Sequence, residues 1–199
     1  MYVVIGASGH TGSTVAEKLL SQGEQVRVVG RDPAKLESFK QRGAEVFVGE
    51  VTDAGAMAKA FAGADAAYVM IPPNPGAPNV PAFQQQVMES LASAVDKNHV
   101  EQVVALSSVG ADKADKTGPV VGLHNLERRF ESISGLNVVF LRAGYFMENI
   151  LPQVSVIQAF GSMAGPVRAD LPLPMIATLT GPCAHLPLNK HRHHRTTRT

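Results

Sequence analysis

Glycines 6, 9 and 12 lie in "VVIGASGHTG", residues 3–12, behind a short apolar run and ahead of "STVAEKLLSQG". Glycines in this order serve phosphate chemistry when they join a strand to a helix. The glycine at 6 permits a sharp turn, the one at 9 lets backbone N–H groups approach a pyrophosphate, and the one at 12 lets the helix pack closely beneath. The helix N-terminus adds partial positive charge and free N–H donors. Ser8, His10 and Thr11 fill the loop between and complete the candidate phosphate contacts.

A second informative stretch is "QVRVVGRDPAKL". A dinucleotide with a free ribose 2′-hydroxyl favours a carboxylate about 20 residues beyond such a loop, whereas a 2′-phosphate favours arginine. Here Arg31 stands at that place and Lys35 follows one turn into the next helix. A planar guanidinium pairs with phosphate through two hydrogen bonds, so NADP(H) is expected in preference to NAD(H). Asp32 has two readings, ribose contact or helix cap, and the order "DPAK" favours the cap with Pro33 as first helical residue. In "GEVTDAGAM", Glu50 and Val51 are expected beside the adenine edge, and Asp53 as another cap.

These residues need a frame. Short apolar runs recur at Tyr2 to Ile5, Gln25 to Val29, Ala44 to Val48, Ala66 to Ile71, Gln102 to Leu106 and Asn137 to Leu141. Between them the amphipathic spacing predicts helices near 12–22, 33–42, 54–62, 80–97 and 119–134. Runs such as "YVVI" and "AAYVMI" are apolar without alternation, as strands covered on both faces are. Strands alternating with helices imply parallel βαβ units: an α/β, Rossmann-type, doubly wound parallel sheet in a single domain.

With the glycine loop, Arg31, "GEVTD", "MIPPNP", "LSSVGAD" and "LRAGYFMENIL" in this order, the chain resembles the NmrA-like branch of the atypical short-chain dehydrogenase/reductase family over about residues 1–178. That branch includes NAD(P)H:quinone and azo-dye reductase-like proteins and redox-sensing regulators. The resemblance implies a dinucleotide lying across the carboxyl ends of the strands. It places Met70, Ile71 and Pro72 along the ribose and pyrophosphate path, and Ser107 and Ser108 near the nicotinamide ribose. It sets Gly144, Tyr145 and Phe146 against the nicotinamide, with Glu148 and Asn149 flanking a substrate opening.

Ordinary short-chain dehydrogenases pair a tyrosine with a lysine four positions on, the lysine lowering the tyrosine pKa for proton transfer to a carbonyl. Here the corresponding residues are His124 and Arg128. Arginine is no neutral base and is expected to hold a phosphate or an acid such as Glu131. His124 has two readings, proton donor near neutral pH or a histidine bonded locally at a helix start. Carbonyl reduction and sugar-nucleotide epimerisation by the usual relay are disfavoured. A quinone takes hydride and then a proton from solvent, so the leading expectation is an oxidoreductase acting on a quinone-like acceptor, with Tyr145 stacking on nicotinamide or acceptor. The alternative is a non-catalytic redox sensor that binds dinucleotide and acts through a protein partner.

Composition limits the remaining classes. A chain of 199 residues with 45% hydrophobic residues can bury one sizeable core. Residues 185–199 carry four of the 18 basic residues and no acidic one, leaving 14 basic against 17 acidic residues over 1–184. That mildly acidic body offers no face for nucleic acid. The single cysteine, Cys183, excludes an intrachain disulfide framework and a multi-cysteine zinc site, which fits a reducing cytoplasm. No signal peptide or membrane span is expected. After Thr178 helical periodicity gives way to "LTGPCAHLPLNKHRHHRTTRT", so 179–199 is expected to be a disordered basic tail, with His191, His193 and His194 as solvated residues. The family's elements that complete a substrate pocket are expected to be missing there. No metal site is expected.

Overall fold

Valine, isoleucine and alanine dominate the strands because both sheet faces are covered. In the computed structural model, which describes residues 1–162 and 172–178, these runs form β1 (Tyr2–Ile5), β2 (Val26–Gly30), β3 (Glu45–Val48), β4 (Ala66–Val69), β5 (Gln102–Ser108) and β6 (Asn137–Ala143). They make one six-stranded sheet in the order β3-β2-β1-β4-β5-β6. Every pairing is parallel, with Val4 opposite Val28 on one side and Tyr68 on the other.

Side chains alternate between two core layers. Val3, Ile5, Val69, Val103 and Ala105 pack with helices α3 (Ala54–Ala60), α4 (Val80–Lys97) and α5 (Val121–Glu131). Val4, Val26, Val28 and Tyr68 pack with α1 (His10–Ser21) and α2 (Glu37–Gln41). Helices cover both faces, as the doubly wound reading expects. Local chemistry starts several of these helices. Asp53 accepts from the amides of Gly55 and Ala56 to begin α3, and Asn79 accepts from Ala82 to begin α4.

The boundaries differ from expectation where glycine and proline intervene. α1 begins at His10, so Gly12 lies inside its first turn and not ahead of it. The helix expected at 33–42 is a 3-10 turn, Pro33–Leu36, followed by α2. β4 ends at Val69, short of Ile71, because Pro72 and Pro73 have no N–H to extend the ladder. The helix expected at 119–134 is a 3-10 turn, Gly118–Val120, leading into α5.

Beyond β6 stand elements that no periodicity marks. β7 (Tyr145–Phe146) pairs in parallel with β8 (Met175–Ile176), and a 3-10 turn, Met147–Ile150, leads into α6 (Gln153–Phe160). Leu151, Val154, Ile157 and Phe160 form an exposed apolar stripe on this segment. The expectations for Cys183, for His191, His193 and His194, and for a tail over 179–199 lie outside the described residues.

Candidate dinucleotide site

The glycine loop follows β1 at the middle of the sheet. Gly6 turns the chain with φ +72°, a left-handed conformation that side chains resist. Gly9 donates its N–H to the Gly6 carbonyl at 2.9 Å and then extends to become the N-cap of α1, so the first amides of α1 have no intrahelical acceptor. A side chain on Gly12 would overlap the Gly6 carbonyl, which lets α1 seat directly on the turn. On Gly9 a β-carbon would meet only the Gly6 oxygen, at 3.4 Å, so the space above that amide is open. Open space over unpaired helix-start amides fits a pyrophosphate. Ser8, Gly9 and His10 are exposed, whereas Thr11 and Gly12 are buried. Met70 closes the other side: the Thr11 hydroxyl lies 3.8 Å from its sulfur, and a β-carbon on Gly6 would meet that sulfur at 2.8 Å.

The remaining candidates also follow carboxyl ends of strands. After β2, Arg31 and Lys35 are exposed, and Arg31 pairs with no described residue. The Asp32 carboxylate accepts from the Ala34 amide at 3.0 Å, the cap that "DPAK" favours. After β3, Glu50 is exposed, but the Val51 side chain sits in the core with Met57 and Phe61, leaving its backbone toward the edge. Met70, Ile71 and Pro72 are half-buried after β4.

At the ends of β5 and β6 the structure holds a network the sequence reading missed. The buried Ser107 hydroxyl donates to Glu127 Oε1 at 2.5 Å, and Glu127 faces Arg142 through Nε–Oε1 at 3.0 Å and Nη2–Oε2 at 2.6 Å. Bonding to Glu127 holds the Arg142 guanidinium still more firmly in its charged form. Two signals pointed there: Arg142 interrupts the apolar run "NVVFLRAG", and Glu127 lies between the core residues Leu126 and Phe130. His124, half-buried and one turn earlier on α5, directs Nδ1 to the Ala111 carbonyl at 2.8 Å. An oxygen acceptor there assigns the proton to Nδ1 and leaves Nε2 free. Arg128 pairs with Glu131 at 3.0 Å, as expected. The Ser108 hydroxyl bonds the Val109 carbonyl.

Gly144 is constrained by packing, since a side chain there would overlap the Pro174 carbonyl that accepts from the Tyr145 amide. Tyr145 and Phe146 are half-buried in β7, and Asn149 is exposed. Glu148 is half-buried and bonded to Thr178. Its Oε1 accepts the Thr178 amide at 2.8 Å and the Thr178 hydroxyl at 2.6 Å. The hydroxyl bond foremost, then the amide, holds this carboxyl below the usual carboxylate range, and the nearby His10 acts in the same direction. Among the described residues no histidine, cysteine and carboxylate group is placed to hold a metal, and no helix is long and apolar enough to cross a membrane.

The same architecture and sequence pattern occur in known proteins. An NAD(P)H azoreductase from Xenophilus azovorans is 27% identical over 169 residues, 84% of this chain and 56% of that protein. The Photosystem II assembly factor Ycf39 of Cyanophora paradoxa is 25% identical over 158 residues, 77% of this chain and 48% of its own. A crystal structure of an NADPH-dependent quinone oxidoreductase from Escherichia coli, complexed with NADPH, superposes with a TM-score of 0.69 at 22% identity, covering 81% of this chain and 55% of that one. The chain thus spans about half the length of these relatives, and the superposition shows a shared Rossmann-type fold. The family model described as NAD(P)H-binding matches residues 6–166, from the first glycine past α6, and the chain belongs to that family.

Proposed function

We propose that the chain is an NADPH-preferring oxidoreductase that passes hydride to a quinone-like acceptor without a tyrosine–lysine relay. One observation carries the cofactor choice. At the end of β2 the Asp32 carboxylate, which would otherwise serve a ribose diol, caps the next turn, while Arg31 is exposed and pairs with no described residue. A free guanidinium suits a 2′-phosphate, and Lys35 adds a second cation. Gly6, Ser8, Gly9, His10, Thr11 and Gly12 would hold the pyrophosphate, Glu50 and Val51 the adenine edge, and Met70, Ile71 and Pro72 the path between. Ser107 would lie beneath the nicotinamide ribose.

The acceptor half rests on chemistry. Hydride from bound NADPH leaves a hydroquinone anion, which takes its proton from water, so the protein need only hold two flat groups in contact. Tyr145 and Phe146 are the aromatic surfaces for that stacking. The bond from His124 Nδ1 to the Ala111 carbonyl and the pairing of Arg128 with Glu131 support a site without a tyrosine–lysine relay. The azo and quinone substrates in the names of the relatives support the same class. The relative named as an assembly factor favours a second reading, a dinucleotide-binding sensor acting through a protein partner. Fluorescence titration with NADPH and NADH, then NADPH oxidation with a panel of quinones and azo dyes, separates them. Tighter NADPH binding with turnover is expected. Equal affinities overturn the preference, and tight binding with every acceptor inert selects the sensor.

A further inference from the structure

Among the described residues Glu127 is the one buried carboxylate, its side chain 4% exposed. Taking the Glu127 carboxylate out of water is costly, and its partner Arg142 keeps 35% of its side chain exposed, so solvent screens their attraction. Stability alone therefore gives little reason for this group. Its placement does. Ser107 and Arg142 are register partners at the ends of β5 and β6, and the one carboxylate grips both from α5. One turn earlier His124 binds the Ala111 carbonyl in the loop after β5, so successive turns of one helix face are fastened to the carboxyl edge of the sheet.

Strand order says which part of the ligand this edge serves. Arg31 ends β2 and the glycine loop ends β1, so a dinucleotide with its 2′-substituent at Arg31 and its pyrophosphate at the loop continues over β4, β5 and β6. We propose that Glu127 is a positioning residue for the nicotinamide end of the site. It sets the rotation of α5, and hence where His124 Nε2 points, through Ser107 and Arg142. This requires dinucleotide binding, the property of the family, and stands apart from the NADPH preference and the quinone reading.

Glu127→Gln in the full chain keeps shape and removes charge. A carboxamide must then turn its NH2 toward Ser107 and Arg142 Nε or toward Arg142 Nη2, so a donor faces a donor. Two ligands are titrated: NADPH, and adenosine 2′-phosphate 5′-diphosphate, which has the same adenosine and pyrophosphate but neither the nicotinamide nor its ribose. The Kd for NADPH should rise about fivefold or more and that for the fragment by less than about twofold, the scale of one or two hydrogen bonds. Bound NADPH should also lose part of its nicotinamide fluorescence enhancement. A merely structural role would weaken both ligands alike, and that result, or no change in either, overturns the proposal. Should the glutamine variant fail to fold, Arg142→Lys decides: it keeps the charge and breaks the two-point grip on Glu127. A selective loss of NADPH affinity of about twofold or more supports the proposal, and unchanged NADPH affinity overturns it.

Discussion

Arg31 and Asp32 are neighbours with opposite charges and different employment: one caps a turn, the other faces solvent beside the glycine loop. Arg31→Ala should therefore erase the preference for NADPH while sparing NADH, a loss of about 1.5 to 3 kcal/mol for one charged phosphate contact. Titration of the two cofactors against parent and variant checks it, and an unchanged ratio contradicts the assignment. The glycines divide the same way. Gly9→Val should fold and fail to bind, because its side chain enters open space where a pyrophosphate would approach. Gly12→Ala should damage folding itself, because its β-carbon overlaps backbone. Thermal melts with and without NADPH distinguish the two defects. The loop was legible in the sequence because turn, approach and packing each demand glycine at a set offset. Glu127 was not, since "NLERRFE" reads as a solvated charged face until the helix phase turns one of its acids inward.

Strands and helices followed from apolar runs and caps, and the parallel, doubly wound sheet followed from their alternation. The β7–β8 pair did not, because two-residue strands have no period and their pairing joins Tyr145 to Met175, far apart in sequence. Another hidden feature is Arg27 in "QVRVVG", whose guanidinium binds the Ala60 and Ala62 carbonyls at the end of α3 and the Glu45 carboxylate on β3. It satisfies a helix C-terminus that glycine alone would leave open. Arg27→Met should cost about 2 to 4 kcal/mol, measured by denaturant unfolding, since the buried Ala60 carbonyl and the partly buried Ala62 carbonyl lose their donor and Glu45 its partner. The Glu148–Thr178 bond makes the β7–β8 element acid-sensitive. The folded pKa of Glu148 is depressed, so the bond contributes stability above the ordinary carboxylate range and loses it as pH falls through the depressed value. Melting temperatures of parent and Glu148→Gln should therefore differ most near neutral pH and converge in acid. A difference that persists in acid would mean the carboxylate charge is not what holds Thr178.

Across the molecule the sheet that would carry the dinucleotide is one whose every strand the sequence announced, whereas the proposed acceptor half would rest on short elements beyond β6. His124→Ala should lower quinone reduction by less than about tenfold if solvent supplies the proton. A fall of several hundredfold, about 10²-fold or more, with cofactor affinity intact would make His124 the acid.

The position of β1 has a further consequence in the cell. As the chain leaves the ribosome, β1 and the glycine loop emerge before the two strands they pair with, for in the finished sheet β1 lies between β2 and β4. Parallel neighbours cannot close as a hairpin, so each pairing waits for a whole crossover to be translated. The sulfur that packs against the loop belongs to Met70, 59 positions beyond Thr11. Until that segment emerges, β1 presents one open hydrogen-bonding edge, the kind of surface that holdase chaperones cover and that aggregates when they do not. The glycine loop is thus made well ahead of the methionine that closes its side.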